Sequence, residues 1–590
     1  MPLYKIIIDN RDYTSWTVFD ANTLEAIVFP VPGFNPAQHK LFTNDVFNFN
    51  NDTVEIEHSS TRNNINITAV LILADNKTYG RECKLDNEKN TDNGKMKKMG
   101  KLLYKCIPDD IRIPIFLVPY EIKQLGFSKV FTNIYVTINY KEWTHTHPIA
   151  NLSQNIGTVD ILNNFYEYQL YCKSLNTSLQ QFNKDTNHSI KTNIFTHDTF
   201  ITSICDKYPQ IEDRTSWKTF TIDPASTADY DDAFSIKTLD NEQTLLSIYI
   251  ANVTIWMDSL NLWTSFSKRI STIYLPDRKR PMLPTILSEC LCSLQQHTKR
   301  FAFVIDIIID KDSNILSTKY SNCLIKVFKN FSYEEPALLS FSHYRCLFET
   351  TKQLSQKYKY INYLRNSHDV VAYLMIFMNH HSAKNFIQSK NGILRTSTIT
   401  SIGSVPEYLP EDVNQFITTW NNSCCQYIDI ETVSNDNMFK HELLDMDAYI
   451  HITSPIRRLV DLLNIIKFQE NNQLIYLTNG ANEFYNKWIR QIDYINVTMR
   501  AIKKIQNDCS LLHACDKTPE ILDKIYDGFC FDKLERADGL YQFIVFLPEL
   551  RLSSKITIRE NLDNYQKRQY KLFIFNNEDK FKKKIRLHIV

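Results

Sequence analysis

The sequence predicts a multidomain α+β protein with two small β-barrels in series, a polar helical connector, a large mixed α/β domain and a final β-rich barrel. Three observations carry this reading. A chain of 590 residues exceeds what one hydrophobic core organises. Short β-branched runs separated by Asn/Asp-rich turns fill both ends of the chain. Between them, strand-like pieces alternate with segments of helical period.

In chain order, Ile6-Ile7-Ile8, Val54-Glu55-Ile56 and Ile67-Thr68-Ala69-Val70-Leu71 read as strands of a first barrel over 1–92. The basic stretch Asn93-Gly94-Lys95-Met96-Lys97-Lys98 reads as a loop opening a second barrel over 93–158, with strands at Ile111-Arg112-Ile113-Pro114 and Tyr135-Val136-Thr137-Ile138. Residues 159–203 turn polar and helical, as a connector. The region 204–520 holds strands such as Ser247-Ile248-Tyr249-Ile250 and helices such as Val370–Met375, and ends in a polar helical piece near 480–515. A last barrel occupies 521–590.

A hydrophobic share of 43% and a charged share of 23% are ordinary globular values. With 67 Lys+Arg against 66 Asp+Glu, net charge is +1, so any phosphate-binding surface must be local, which disfavours a simple DNA-coating protein. The 13 cysteines lack the C-x2-C spacing of zinc sites and read as reduced thiols in a reducing compartment. The N-terminus lacks the basic-then-apolar layout of a signal peptide, and no apolar run approaches the roughly 20 residues that span a bilayer. A soluble intracellular protein is expected, most simply a cytoplasmic monomer without membrane association, with an organelle or a virion as the alternative.

The strongest local signal is Thr221-Ile222-Asp223-Pro224-Ala225-Ser226-Thr227-Ala228-Asp229-Tyr230-Asp231-Asp232-Ala233-Phe234, with four carboxylates inside ten residues. Pro224 argues for an irregular loop after the first aspartate. Folded together, each close pair would repel by up to ~4 kcal/mol at an effective dielectric of 20. A cation would hold them, and hard carboxylate oxygens suit Mg2+, with Mn2+ as a substitute. A solvated acidic turn is the plain alternative. An EF-hand fails, because a loop starting at Asp229 has Phe234 where glycine is required. The paired acids Asp231-Asp232 are also similar to those of a polymerase palm, which would need a third acid from a distant strand. A zinc-protease reading founders at His441-Glu442-Leu443-Leu444-Asp445, which has Asp where the second His belongs.

A second signal is Thr453-Ser454-Pro455-Ile456-Arg457-Arg458-Leu459-Val460-Asp461-Leu462-Leu463. Ser454 reads as an N-cap and Pro455 as the first helical residue. Ile456, Leu459, Val460 and Leu463 form a buried stripe, leaving Arg457 in the first turn, where a guanidinium and free backbone N–H groups suit a phosphate. Alternatively, Arg457 pairs with Asp461 as a surface i,i+4 bridge worth ~0.3–0.5 kcal/mol.

Together these segments resemble the signatures of the ribonuclease II/ribonuclease R (RNB) family, which includes the catalytic subunit of the eukaryotic exosome. Tyr274-Leu275-Pro276-Asp277-Arg278 through Pro281-Met282-Leu283-Pro284, Leu291-Cys292-Ser293-Leu294 and Gly392-Ile393-Leu394-Arg395 extend the resemblance in the family's order. Leu41-Phe42-Thr43-Asn44-Asp45-Val46 and Ile111-Arg112-Ile113-Pro114 look like its two cold-shock-type OB barrels, and the segment from Asp527 like its C-terminal RNA-binding OB-type barrel. An N-terminal endonuclease domain like that of the nuclear exosome subunit is not expected.

The resemblance implies a 3′→5′ exoribonuclease that hydrolyses single-stranded RNA to nucleoside 5′-monophosphates. It implies Asp223 and Asp232 as direct Mg2+ ligands, Asp229 and Asp231 completing the metal and catalytic set, and Arg457 stabilising the transition state. Tyr274 would stack on the terminal base, or else be a buried strand-end tyrosine; Arg395, Arg458 and Gln506 would be further RNA contacts. The basic segment Lys580-Phe581-Lys582-Lys583-Lys584-Ile585-Arg586 would add phosphate contacts or be merely solvated. Three departures stand out: Ile250-Ala251-Asn252-Val253 has Asn where the family has Asp, Leu463-Asn464-Ile465-Ile466 lacks the frequent His-Arg, and Gln506 stands where bacterial members place Glu. A catalytically silent RNA-binding scaffold is the rival reading, with a polymerase third. A helicase or RNA-processing partner is left open.

Overall fold

The computed structural model describes residues 2–50, 53–82, 100–122, 131–193, 197–239, 242–361, 363–397, 406, 408–421, 425–433, 439–441, 444–536, 538–577 and 582–590. The basic stretch at 93–98, Glu442-Leu443, and Lys580-Phe581 lie outside them.

The chain is multidomain α+β. The first unit is a five-stranded sheet whose strand Leu3–Ile8 sits centrally between Trp16–Asp20 and Val46–Asn50. Alternation along that strand sends Ile6 and Ile8 inward against Val18, Phe34, Leu41 and Phe47. A second unit closes as a five-stranded barrel from Ile67–Leu71, Leu102–Pro108, Phe116–Tyr120, Ile134–Glu142 and Ile149–Thr158.

Here the expected boundary at 92/93 is corrected. Strand Ile67–Leu71 pairs with both Leu102–Pro108 and Ile134–Glu142, so it belongs to the second barrel. Its alternate residues Ile67, Ala69 and Leu71 share a core with Tyr104, Cys106, Val136 and Ile138, which fixes the assignment by burial. The expected strand at Ile111–Pro114 is a turn instead, because Asp110 accepts both the Arg112 backbone N–H at 3.0 Å and its guanidinium at 2.7 Å.

Helices Leu162–Cys172, Gln180–Asn193 and His197–Lys207 form the connector. Tyr168 stacks on Tyr135 at 4.3 Å, locking the connector onto the second barrel. Next comes a second closed barrel, from Glu212–Asp223, Asp232–Thr238, Thr244–Ala251, Lys299–Ile309 and Ile315–Ser332. Its pairings are antiparallel except where Glu212–Asp223 meets Ile315–Ser332 in parallel, which closes the cylinder. The four-aspartate loop joins its first two strands.

Helix Leu459–Asn471 runs through the middle of this domain. Leu459, Val460, Leu462, Leu463 and Ile466 serve one core, and Ile465 and Phe468 a second beneath helix Ser367–Ser389. Apolar residues all round the helix, beyond the single predicted stripe, are what a helix sandwiched between two cores requires.

The C-terminal unit is a five-stranded sheet, Ile525–Glu535, Tyr541–Leu547, Leu552–Ile558, Lys567–Asn577 and Lys582–Ile589, with its own core. The basic residues Lys582–Arg586 therefore lie in a paired strand and not in a solvated tail. The opposite face of this sheet, with Phe529, Phe531, Ile544 and Phe546, is covered by Val413, Phe416, Ile417 and Trp420 of helix Glu411–Asn421, which reaches across from the preceding domain. Among the described residues no helix is long and apolar enough to cross a membrane.

Candidate active site

The aspartate loop is irregular for a reason visible in its bonds. Asp223 ends its strand, and a turn at Pro224, closed by the Thr227 N–H on the Pro224 carbonyl, lifts the chain out of the sheet. Ser293 then pins the returning limb: its hydroxyl accepts from the Tyr230 N–H at 3.0 Å and donates to the Ala228 carbonyl at 2.9 Å. The Leu294 N–H reaches the Tyr230 carbonyl. The segment Leu291-Cys292-Ser293-Leu294 thus works as a staple for the acid loop. The Ala251 N–H donates to the Asp231 carbonyl, after which Asp232 opens the next strand opposite Ile250.

Two kinds of acid result. Asp231 is 4% exposed; one oxygen accepts from the Ile456 N–H at 3.0 Å and the other from Arg457 Nε at 3.1 Å. Burial pushes its carboxyl up to about 7, the neighbouring acids add to that, and Arg457 and the Ile456 N–H oppose it. Asp229 Oδ1 accepts from Lys279 Nζ at 2.9 Å. Asp223 and Asp232, by contrast, each bury an Oδ2 with no hydrogen-bond partner among the described residues. Burial, with the charges of Asp231 and Asp229, raises Asp223 to about 7. Burial and the charge of Asp223 hold Asp232 well above the usual carboxylate range.

Two unpartnered hard oxygens on two strained acids fit a divalent cation, because a cation would remove both the desolvation penalty and the mutual repulsion. The fit is narrower than the four-aspartate set expected from sequence. Among the described residues no three acidic, thiol or imidazole groups converge as a ready cage, since Asp231 faces Arg457 and Asp229 faces Lys279.

The arginine segment is corrected in its local structure. The helix begins at Leu459, with Arg458 extended at its N-cap, whereas Ser454 to Arg457 form a turn closed by the Arg457 and Arg458 N–H groups on the Ser454 carbonyl. A long-range pairing imposes this: Arg458 bridges Ser271, the Arg457 carbonyl accepts from the Thr272 N–H and the Ser271 hydroxyl, and the Leu459 N–H meets the Ile270 carbonyl. The backbone N–H groups expected to await a phosphate are already used, Ser454 by Asp461 at 2.7 Å and Ile456 by Asp231. What remains for a phosphate is the Arg457 guanidinium, braced by Asp231 and by Ser454 Oγ at 3.0 Å, with 43% of its side chain exposed. The surface bridge from Arg457 to Asp461 is not formed. Asp461 is fully buried and takes Arg458 Nη2 at 2.9 Å, so Arg458 braces the turn from within.

Tyr274 sits on a two-stranded hairpin, Ile273–Tyr274 with Lys279–Arg280. Its backbone N–H donates to Gln506 Oε1 at 3.0 Å, which makes Gln506 a support for the hairpin, and the residue is 41% exposed. Burial and the charge of Asp229 push the phenol up to about 12, and Arg457 and Lys279 oppose them, so this ring lies in the field of the acid loop. Arg395 lies against the Tyr427 ring at 5.7 Å, and the Tyr427 hydroxyl meets His451 Nδ1 at 2.8 Å.

Sequence reasoning missed Tyr333 and Lys279. The Tyr333 N–H donates to the Asp223 carbonyl, its ring stacks on His368 at 3.6 Å, and burial with the charges of Asp232 and Asp223 holds its phenol protonated. The only available signal was an aromatic residue directly after a long strand. Asn252, the departure from the family's Asp, is fully buried and caps helix Val253–Ser259. Its Oδ1 accepts from Thr254 Oγ1 at 2.6 Å, and its Nδ2 donates to Asn322 at 2.7 Å and to Gln469 at 3.3 Å.

The RNB domain family matches residues 211–342, the stretch holding the barrel and all four aspartates, which bears out the resemblance to ribonuclease II and ribonuclease R. Exoribonuclease 2 of Cronobacter sakazakii is 39% identical over 115 residues, 19% of this chain and 18% of that protein, so the match spans less than a fifth of the relative's length. Mycoplasma genitalium RNase R, solved in complex with ribose methylated single-stranded RNA, shares the fold over 99% of this chain and 100% of its own, with a TM-score of 0.67 at 15% identity. Yeast Ssd1, a pseudonuclease, shares it over 97% of this chain and 80% of its own, with a TM-score of 0.56 at 12% identity.

Proposed function

On this RNB domain, we propose that the chain is a Mg2+-dependent 3′→5′ exoribonuclease that releases nucleoside 5′-monophosphates from single-stranded RNA. The observation that carries it is the juxtaposition of two unpartnered buried carboxylate oxygens, on Asp223 and Asp232, with an arginine braced by the adjacent Asp231. Asp223 and Asp232 would hold the cation, which when bound supplies Lewis acidity and a water of lowered pKa.

The chain's own residues do the rest. Asp231 and Ser454 orient Arg457 so that its free N–H groups meet the charge developing on the phosphoryl oxygens. A guanidinium fixed on two sides needs no reorganisation as that charge grows. Tyr274 gives the 3′-terminal base a partly exposed aromatic face, and stacking of this kind contributes ~1–3 kcal/mol without regard to base identity. The small β units before and after the catalytic domain guide the strand, with 2′-hydroxyl contacts selecting RNA over DNA.

The rival is a catalytically silent RNA-binding scaffold, favoured by the fold shared with a pseudonuclease and by the engagement of Asp229 with Lys279. Incubation with 5′-labelled single-stranded RNA and Mg2+ decides between them. A ladder shortening from the 3′ end, absent with EDTA and in Asp231→Asn, supports the exonuclease. RNA that stays intact while bound supports the scaffold.

A further inference from the structure

The hairpin that carries Tyr274 also carries Lys279, directly opposite it in register. Cross-strand neighbours stand on one face of the ribbon with Cβ atoms ~4.5–5.5 Å apart, so whatever lies on the ring lies within reach of the lysine stem. The ribbon is held at both strands: Tyr274 N–H to Gln506, and Arg280 to Asp277 at 2.6 Å and Glu167 at 2.9 Å. The Lys279 ammonium sits between Asp229 at 2.9 Å and Glu289 at 2.7 Å, with 30% of its side chain exposed. An ammonium has three N–H donors, and these two carboxylates use two.

We propose that the third donor of Lys279 binds the RNA phosphate next to the base stacked on Tyr274, making Lys279 a substrate-binding residue beside the acid loop. The inference rests on the RNA reading above. Asp229 and Glu289 hold the flexible stem in one place before substrate arrives, which lowers the entropy lost when the phosphate is bound. A stacked base and its neighbouring phosphate are then read by two residues of one rigid ribbon. A lysine that merely neutralised two acids would instead show no preference for any one phosphate of the strand.

The test is equilibrium binding, by fluorescence anisotropy in Mg2+, to proteins made inactive by Asp232→Asn. The RNAs carry a single neutral methylphosphonate linkage, moved one step at a time inward from the 3′ end. With Lys279 present, one linkage near that end should weaken binding about ten-fold, as loss of a charge-assisted hydrogen bond does. With Lys279→Met the same linkage should have no effect, with Lys279→Arg it should regain part of its effect, and the salt dependence should fall by about 0.7 in log–log slope for Lys279→Met. Binding by the Lys279 protein that is weakened equally at every linkage, or coupling that survives in Lys279→Met, would overturn the proposal and leave the RNA reading intact. This readout needs no variant fold, because the linkage walk on the Lys279 protein alone must show the site. Failure of that protein to bind any of the RNAs would overturn the RNA reading and this inference with it.

Discussion

Asp229 and Asp231 are each ion-paired, to Lys279 and Arg457, whereas Asp223 and Asp232, in the same loop, leave a buried oxygen without any partner among the described residues. All four are acids, yet they do opposite work. The paired ones spend their charge on positioning a cation of the chain itself. On the function proposed above, the unpaired ones keep theirs for a cation from outside, and the folded protein carries the cost of their burial until it arrives.

The largest effects should separate the two kinds. Asp231→Asn removes the acceptor that orients Arg457, and single-turnover RNA hydrolysis should fall about a thousand-fold. Asp232→Asn should abolish hydrolysis as fully. Their effects on the metal-free protein should differ in sign: Asp232→Asn raises the melting temperature by relieving a buried charge, and Asp231→Asn lowers it by leaving Arg457 unpaired. Scanning calorimetry in EDTA reads both, and a fall in both variants would erase the distinction.

A titration sharpens the same contrast. In the folded protein Asp223 and Asp231 are raised to about 7, and Asp232 is held well above the usual carboxylate range. The folded state then binds more protons than the unfolded chain, whose aspartates titrate near 3.9. Their contribution to stability is therefore complete below about pH 4, and it is lost as pH rises through about 7. Groups such as Asp258 and Glu212 are shifted downward and act with the opposite sign, so the useful quantity is wild type minus the Asp223→Asn/Asp232→Asn protein. That difference in melting temperature should become more negative from pH 5 to pH 8 in EDTA. Mg2+ should restore more stability to wild type at pH 8 than at pH 5, since cation binding competes with protons. Equal stabilisation at both values would contradict the pairing of a cation with these two acids.

These particulars also show how far the sequence could be read. The acid loop was legible because four carboxylates, a proline and flanking β-branched runs are all local features, and the arginine segment because a short motif sits ahead of a buried helix. Their meeting was legible only through the family's ordered blocks, since Arg457 and Asp231 lie 226 residues apart. The supposed helix start at Ser454 failed for the complementary reason. Local capping rules favour Ser454-Pro455, but the chain there forms a turn, and pairing of Arg458 with Ser271 delays the helix until Leu459. Strand Ile67–Leu71 was placed in the wrong barrel because alternation gives a strand's buried face and not its partner. Lys279 had no local signal: only the hairpin register sets it beside Tyr274 and the loop.

A smaller effect is expected where helix Glu411–Asn421 meets the C-terminal sheet. Phe416 stacks flat on Phe546 at 3.7 Å, and Trp420 packs edge-on against Phe531. Phe416 is only half-buried, so Phe416→Ala should cost roughly 1–2 kcal/mol, felt mainly by the C-terminal unit. Faster hydrogen exchange confined to strands Ile525–Glu535 and Tyr541–Leu547 would register it. Unlike the acid variants, this change should leave hydrolysis of a short oligonucleotide within a factor of about two.

A modest effect on hydrolysis should come from restoring the family's acid with Asn252→Asp. The side chain would still accept from Thr254 Oγ1 and the Ile255 N–H, so the cap of helix Val253–Ser259 survives. What it loses is donation to Asn322 and Gln469. Asn322 can compensate, because its Nδ2 has no partner among the described residues, and an amide flip would present that N–H to the new carboxylate. The remaining cost is a charge at a fully buried position, which the added hydrogen bond offsets in part. None of the four aspartates bonds to Asn252, so kcat should stay within about three-fold of wild type while the melting temperature falls clearly. A gain of ten-fold or more in hydrolysis would instead show that Asn252 limits the reaction, and that the unpartnered pair Asp223 and Asp232 is not the whole of the cation site.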